Sequence, residues 1–202
     1  MTVIIDYGVG NLFSLQSSLK QLGEQTAVSG DERVIRSADR LILPGVGAFR
    51  DAREKLSKNG LDKVLCEESH KGKPLMGICL GMQLLFSRSF EFGETEGLGL
   101  IEGDVKPIAP LLPKELKVPH IGWNSLKLNG NPEIFKYVAD GDFVYFVHSF
   151  AAMHCESSVI ATADYGAELT AAVQNGNVLG MQFHPEKSGE TGLRILKAFC
   201  EM

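Results

Sequence analysis

The chain has 202 residues, 44% of them hydrophobic, enough to bury a full core, so residues 1–202 read as a single domain. Its 25 acidic and 20 basic residues leave a net charge of −5, which argues against nucleic acid or an anionic membrane surface as the main partner. No apolar run approaches the roughly 18 residues of a membrane span, no signal peptide precedes Asp6, and Cys66, Cys79, Cys155 and Cys200 form no C-x-x-C pair, so a reduced cytoplasmic compartment without disulfides is expected.

Val3-Ile4-Ile5 reads as a central parallel strand. Gly8 and Gly10 then break the chain before a helix striped by Leu12, Leu15, Leu19 and Leu22, with Asn11 as its cap. Leu12 and Phe13 stand where a dinucleotide-binding turn needs its third glycine, so that reading falls. Residues 25–29 and Leu41-Ile42-Leu43 are further strands, and Arg33, Arg36 and Arg40 read as solvated. Pro44-Gly45-Val46-Gly47 follows directly, at the strand end where open α/β sheets place ligand contacts. No Lys-Ser/Thr pair follows, which excludes a P-loop. Helices are expected over 49–59 and 61–71, divided at Asn59-Gly60.

A strand from Leu75 to Ile78 then meets a helix from Leu80 to Phe86, with Cys79 at the join and glycines at 77 and 81. A nucleophile on so sharp a turn needs small neighbours, the logic of the nucleophile elbow. The helix aims its free N–H groups and positive dipole end at the sulfur, and the N–H of Leu80 is left to stabilise an oxyanion. A backbone N–H of the glycine loop, at Gly47, is expected to supply the other half, because two glycines let that peptide reorient; an ordinary turn is the alternative for this loop alone. An inert buried cysteine is the alternative for Cys79 alone. Gln83 lies one helical turn past Cys79 on the same face, its amide in reach of a ligand over the sulfur, with a polar helix-surface position as the alternative.

Residues 87–97 are polar and glycine-punctuated, a loop, and 104–119 hold four prolines, a connection. Strands of alternating character are expected over 121–128 and 143–150, with His148 structural in role. His154-Cys155 lacks a second ligand pair, so no metal site is expected. Asn175-Gly176 marks a hairpin between residues 171–174 and 178–183, which delivers His184 at its end. Pro185 stiffens the turn to Glu186; Ser188 caps a last helix, with Leu193, Leu196 and Phe199 or Cys200 turned inward. A nucleophilic cysteine needs a base and the base an orienter: His184 can take the thiol proton while Glu186 holds the imidazole tautomer, the alternative for the pair alone being a surface histidine beside a loop carboxylate. Helices alternating with early strands, then antiparallel strands, indicate an α/β three-layer fold with a mixed sheet.

Gly77-Ile78-Cys79-Leu80-Gly81-Met82-Gln83 together with Phe183-His184-Pro185-Glu186 resembles the class I (triad) glutamine amidotransferases. The stretches Asp6 to Leu12, Pro44 to Phe49, His120 to Asn124 and Tyr145 to Phe150 resemble one subfamily, the glutaminase subunit of imidazole glycerol phosphate synthase, and the likeness runs from Val3 to the final helix. The resemblance implies a flavodoxin-like, mainly parallel three-layer fold and hydrolysis of glutamine through a thioester on Cys79, with His184 and Glu186 completing the triad. It implies substrate contacts at Gly47, Gln83, Glu91 (for the α-amino group) and the backbone of Ser149 and Phe150 (for the α-carboxylate). Phe90-Glu91-Phe92-Gly93 departs from the more acidic run usual there. No cofactor and no metal are implied. The implied partner is a cyclase barrel forming a heterodimer, faced by Asn11, Trp123, Tyr145 and Lys187. No region remains here for a second catalytic domain, so the chain is also expected on that ground to be a subunit. Two other classes are a cysteine hydrolase or peptidase on the same scaffold, which a glutaminase assay separates, and a non-enzymatic binding subunit, which the intact Cys79, His184 and Glu186 disfavour. Within the family, the alternative is a paralogue supplying ammonia to a sugar-modifying amidotransferase.

Overall fold

A parallel strand covered by helices on both faces has no polar side, so it appears in sequence as an unbroken apolar run. The computed structural model describes residues 1–202 and begins with an alternation of such runs and helices: β1 (Thr2–Ile5), α1 (Leu12–Gln21), β2 (Thr26–Ser29), α2 (Glu32–Ser37), β3 (Arg40–Leu43), α3 (Phe49–Lys58), α4 (Leu61–His70), β4 (Leu75–Ile78) and α5 (Leu80–Leu84). The middle of the chain is almost all strand: β5 (Phe86–Ser89), β6 (Thr95–Glu96), β7 (Ile101–Pro107), β8 (His120–Ser125), β9 (Lys127–Leu128), β10 (Phe143–His148) and β11 (Phe150–Met153). It finishes with β12 (Val159–Asp164), β13 (Glu168–Asn175), β14 (Val178–Met181) and α6 (Gly189–Cys200).

The main sheet has the order β2-β1-β3-β4-β14-β13-β12-β9. Strands β2 to β14 in that order pair in parallel, and the remaining pairings are antiparallel, which is the mixed, mainly parallel sheet expected. Period-two alternation divides the core. Val3 and Ile5 face Phe49, Leu56, Leu65 and Leu80 of α3 to α5, while Ile4 faces Leu15 and Leu19 of α1 and Ile195 and Phe199 of α6. The elbow between β4 and α5 therefore opens at the carboxyl end of the sheet centre, between two packed layers.

Several expectations fail for reasons of tertiary pairing. Residues 87–97 are no simple loop: β5, β6 and β7 join β11 in a second, four-stranded sheet, where Ser89 is fully buried. The expected helix from Leu80 ends at Leu84, because the carbonyls of Leu84 and Leu85 accept from Leu98, Leu100 and Ile101 instead of continuing the helix. The strand expected over 121–128 divides at buried Leu126, β8 pairing with β10 and β9 with β12. The strand expected over 143–150 likewise divides at Ser149, β10 staying with β8 while β11 joins β7. Part of the expected connection, Asp104–Pro107, is the end of β7, and β12 was not legible in the sequence. In α6 the inward face is carried by Ile195, Leu196 and Phe199, with Leu193 only half-buried.

Arg36 and Arg40 are ion-paired rather than merely solvated. Arg40 meets Glu24 at 3.0 Å, and Arg36 meets Glu32, Glu67 and Glu68. Glu68 is buried, and its carboxylate takes Arg36 at 2.8 Å and Lys71 and Lys73 at 2.7 Å each. Lys71 first and then Lys73 hold its carboxyl down at about 2, below an ordinary value of 4.5. A depressed carboxyl stabilises the fold above the unfolded value and stops doing so as pH falls through the folded one. Glu68→Gln should cost about 1–2 kcal/mol near neutral pH. The gap between wild type and variant in urea midpoints should hold from neutral pH down to about 4.5, narrow below that, and close only as pH passes below about 2; a gap independent of pH would show the cluster is not the cause.

Candidate active site

The elbow exists because backbone crowds backbone at this point. A Cβ on Gly77 would lie 2.6 Å from the carbonyl oxygen of Gly81. One on Gly81 would overlap the carbonyl oxygen of Leu43, and one on Gly45 would lie 2.7 Å from the amide nitrogen of Gly81. Only glycine lets the ends of β3 and β4 and the start of α5 approach so closely. Cys79 itself takes φ 54° and ψ −111°, a region an L-residue enters only when its surroundings impose it. Here Cys79 N–H donates to Met181 O at 2.7 Å, and Cys79 O accepts from Gln83 N at 3.1 Å. As the first residue of α5, Leu80 has an N–H with no intrahelical acceptor. Gly45 is thus fixed by packing, while Gly47, at φ +92° with open space around it, has the conformational freedom in this loop.

The β13–β14 hairpin, closed at Asn175 and Val178, carries Gln182, Phe183 and His184 to the same place. His184 N–H donates to Tyr145 O at 2.9 Å, and its Nδ1 donates to Glu186 Oε1 at 2.8 Å. The Glu186 side chain is 1% exposed, so this orienting bond is shielded from water. The other ring nitrogen, Nε2, is buried and without a hydrogen-bond partner. Burial pushes the imidazole down, but the Cys79 sulfur and then the Glu186 carboxylate overcome that and hold it up at about 9. Ser188 occupies the cap position of α6 but does not cap it. Its hydroxyl donates to His184 O at 2.7 Å and accepts from Tyr145 N at 2.9 Å, locking the loop that holds the base.

A cavity of ≈400 Å³ joins these groups: Val46, Gly47, Cys79, Leu80, Gln83, Glu91, Phe92, Pro119, Val147, His148, Ser149, Phe150 and His184 line it. Every residue named above for oxyanion or substrate contacts is in that lining. Ser149 stands where the chain passes from the β8–β10 ribbon to the second sheet. Glu91 Oε2 accepts from Phe49 N at 2.6 Å and so caps α3, whose own cap residue, Ala48, has no side-chain acceptor. Gln83 uses its amide nitrogen within the protein, toward Phe150 O and Gln182 Oε1 at 3.1 Å each, which leaves Oε1 for a ligand. His148 is structural in its bonding: its Nδ1 donates to Phe150 O at 2.9 Å, and its Nε2 accepts from His120 Nδ1 at 3.0 Å. Burial holds both rings down at about 4, so both are neutral.

Two buried residues near the sulfur escaped the sequence reading. Tyr7 donates its hydroxyl to Pro44 O at 2.7 Å, at the root of the glycine loop. Gln182 is fully buried, with its Nε2 3.8 Å from Cys79 Sγ. The available signal for Gln182 was an amide inside an otherwise apolar strand, since a buried polar group requires a partner.

Of the expected partner-facing residues, three come together. Trp123 is 55% exposed and pairs across the ribbon with Tyr145, ring centroids 6.1 Å apart, and Lys187 Nζ lies 5.9 Å over the Tyr145 ring. Exposed Ile121 and Phe143 extend this apolar face. Asn11 lies in the β1–α1 loop, where its Oδ1 caps α1 through Ser14 N at 3.4 Å, beside exposed Phe13. No cluster of three or more His, Cys, Asp or Glu residues is arranged to hold a metal, all four cysteines are free, and no helix is long and apolar enough to cross a membrane.

Residues 3–202 match the family Glutamine amidotransferase class-I. Imidazole glycerol phosphate synthase subunit HisH of Oceanobacillus iheyensis is 48% identical over 203 residues, covering 100% of this chain and 99% of that protein. The HisH subunit of Methanosarcina acetivorans is 50% identical, covering 99% and 98%. Among solved structures, a glutamine amidotransferase superposes with a TM-score of 0.76 at 20% identity, covering 98% of this chain and 97% of that one. PurLQS from Thermotoga maritima gives 0.76 at 19%, covering 99% and 97%. The structures attest the fold and the near-complete sequence matches attest the family: the chain belongs to the class-I glutamine amidotransferases, in their HisH branch.

Proposed function

We propose that this chain, as one glutaminase domain over residues 1–202, hydrolyses glutamine at Cys79 and passes the ammonia to a cyclase subunit of imidazole glycerol phosphate synthase, in the cytoplasm, for histidine biosynthesis. The observation that carries this reading is the buried line of Cys79, His184 and Glu186 opening into one cavity with the free N–H of Leu80. Cys79 attacks the substrate's γ-carboxamide carbon as thiolate, its proton held on His184. The oxyanion collects the N–H of Leu80 and of the Gly47 loop. His184 then protonates the leaving nitrogen, and ammonia departs from the γ-glutamyl thioester. Water, deprotonated by His184, attacks the thioester, releasing glutamate and restoring the thiolate and imidazolium. Glu91 meets the substrate α-ammonium, the Ser149–Phe150 backbone its α-carboxylate, and Gln83 Oε1 an N–H of the bound glutamine.

The ammonia is useful only if an acceptor site takes it before it protonates in water. Trp123, Tyr145 and Lys187 form the docking face beside the base loop, Trp123 serving as the aromatic anchor, and Asn11 adds a contact from the β1–α1 loop. Because Tyr145 holds both His184 and Ser188 through its backbone, docking acts directly on the base. The isolated chain should hydrolyse glutamine slowly and accelerate when the cyclase subunit holds its own ligand, since the Gly47 peptide can turn either N–H or C=O to the site. One missing oxyanion donor costs about 10²–10³ in kcat. Glutaminase turnover is measured with and without the cyclase and its ligand, and repeated for Gly47→Ala, in which the positive φ is disfavoured. Full activity of the chain alone, indifferent to partner and ligand, would remove the gated loop from the mechanism. A normal response in Gly47→Ala would move the switch elsewhere in the interface.

A further inference from the structure

The Cys79 sulfur has a neighbour that the triad does not use. Gln182 is 0% exposed and lies directly after β14, in the segment that leads to His184; its Nε2 is 3.8 Å from Cys79 Sγ. An amide can present either its nitrogen or its oxygen, and the two ends have opposite effects on a thiolate. The surrounding hydrogen bonds decide which end faces the sulfur. Phe150 O is a carbonyl, an acceptor only, so the Gln83 end 3.1 Å from it must be the NH₂. That same NH₂ meets Gln182 at 3.1 Å, so Gln182 must offer it Oε1. The Gln182 NH₂ is then left to point at Cys79. Phe150 O is itself pinned from the other side by His148 at 2.9 Å, and His148 by His120 at 3.0 Å. The polarity of the whole chain of bonds is therefore fixed by one backbone carbonyl.

We infer that Gln182 is a further catalytic residue: its N–H donates to the Cys79 sulfur, and Gln83, through Phe150 O, is the positioning residue that keeps the amide from turning over. A donor to an ionised sulfur forms a charge-assisted bond, stronger than one to the neutral thiol, so it favours thiolate over thiol. When Cys79 is protonated its S–H instead faces Val147 O at 3.9 Å, a weak acceptor contact that does not compete for the amide. In the thioester the sulfur carries no charge and the Gln182 bond weakens; it strengthens again as the thiolate leaves, which assists the second half of the reaction.

The inference rests on Cys79 being the nucleophile, and the test separates the two claims. The full chain is alkylated with chloroacetamide at one fixed neutral pH, and the rate is read at Cys79 by mass spectrometry, alongside kcat and KM for glutamine. Gln182→Met keeps the shape and removes the donor; it should slow Cys79 alkylation and kcat about tenfold, with KM changed by less than about twofold. Gln182→Glu puts an oxygen against the sulfur and should slow alkylation further. Gln83→Met releases the amide and should show part of the loss, while the double variant Gln83→Met/Gln182→Met should alkylate no more slowly than Gln182→Met. Should Gln182→Met fail to fold, Gln182→Glu and Gln83→Met carry the same comparison. A merely structural Gln182 would lower thermal stability and leave native-state alkylation at the wild-type rate; that result overturns the inference. Glutaminase activity surviving in Cys79→Ser would instead overturn the nucleophile assignment.

Discussion

Cys79→Ala is expected to abolish glutamine-dependent synthesis by the complex, by at least about 10⁴ in kcat, while ammonia-dependent synthesis continues. The thiolate is the only group in the ≈400 Å³ cavity placed to form the thioester, and no other cysteine lines it. The variant should fold, because the change removes a single sulfur atom from the edge of the core and the crowding at the elbow comes from Gly77 and Gly81. Alanine also tolerates the backbone at φ 54° no worse than cysteine does. Ammonia added to the solution bypasses this chain and enters the cyclase reaction directly, so the division of chemistry between subunits is what the experiment reads. Loss of both activities in an assembled complex would show that this chain contributes to the synthase step as well.

The second large effect separates the base from its orienter. His184→Ala removes the group that holds the thiol proton and later protonates ammonia, and should cost about as much as Cys79→Ala, because the members of a triad act as a unit. Glu186→Gln keeps the imidazole but turns an acceptor into a side chain that can also donate, which favours the wrong tautomer; it should be milder, though still on the order of 10²–10⁴. The pH dependence adds a sign. The imidazole is held up at about 9 from an ordinary 6.5, so the proton needed for ammonia departure is present at neutral pH and is lost as pH rises through about 9. Wild-type kcat/KM, which reports the free enzyme, should fall in that range, and in Glu186→Gln the fall should begin at lower pH, since part of the upward push is gone. The same proton binding stabilises the fold fully below about 6.5 and ceases to as pH passes about 9. Equal kcat for Glu186→Gln and His184→Ala, with no thioester formed by either, would give Glu186 a direct part in the chemistry.

What the sequence determined by itself is what short stretches of chain dictate. The apolar runs at Val3–Ile5, Leu41–Leu43 and Leu75–Ile78 are buried on both faces and could be little else than central parallel strands. The glycines at 77 and 81 mark the elbow because the crowding they relieve is between a strand end and the helix directly after it. Asn175-Gly176 closes a hairpin between adjacent strands, and the hairpin carries His184 and Glu186 with it. In each case the residues that interact lie close in sequence, so their spacing records the geometry.

What only the tertiary structure decided involves groups that meet across the chain. Ser87 to Gly97 is polar enough to read as loop, yet β5 is a strand because β7 pairs with it and Arg88 bonds Asp104 at 2.7 Å. Ser188 looks like a helix cap until Tyr145, 43 residues away in the chain, takes its hydroxyl. Glu91 caps a helix 42 residues earlier, and nothing local to Phe90-Glu91-Phe92 foretells it. The direction of the Gln182 amide is set by Gln83 and Phe150, from two other elements. A hydrogen bond has a donor end and an acceptor end, and which end of a side-chain amide, imidazole or hydroxyl is used depends on partners the chain brings together only when both sheets have formed. Residue types were therefore readable in advance at this site; their polarity was not.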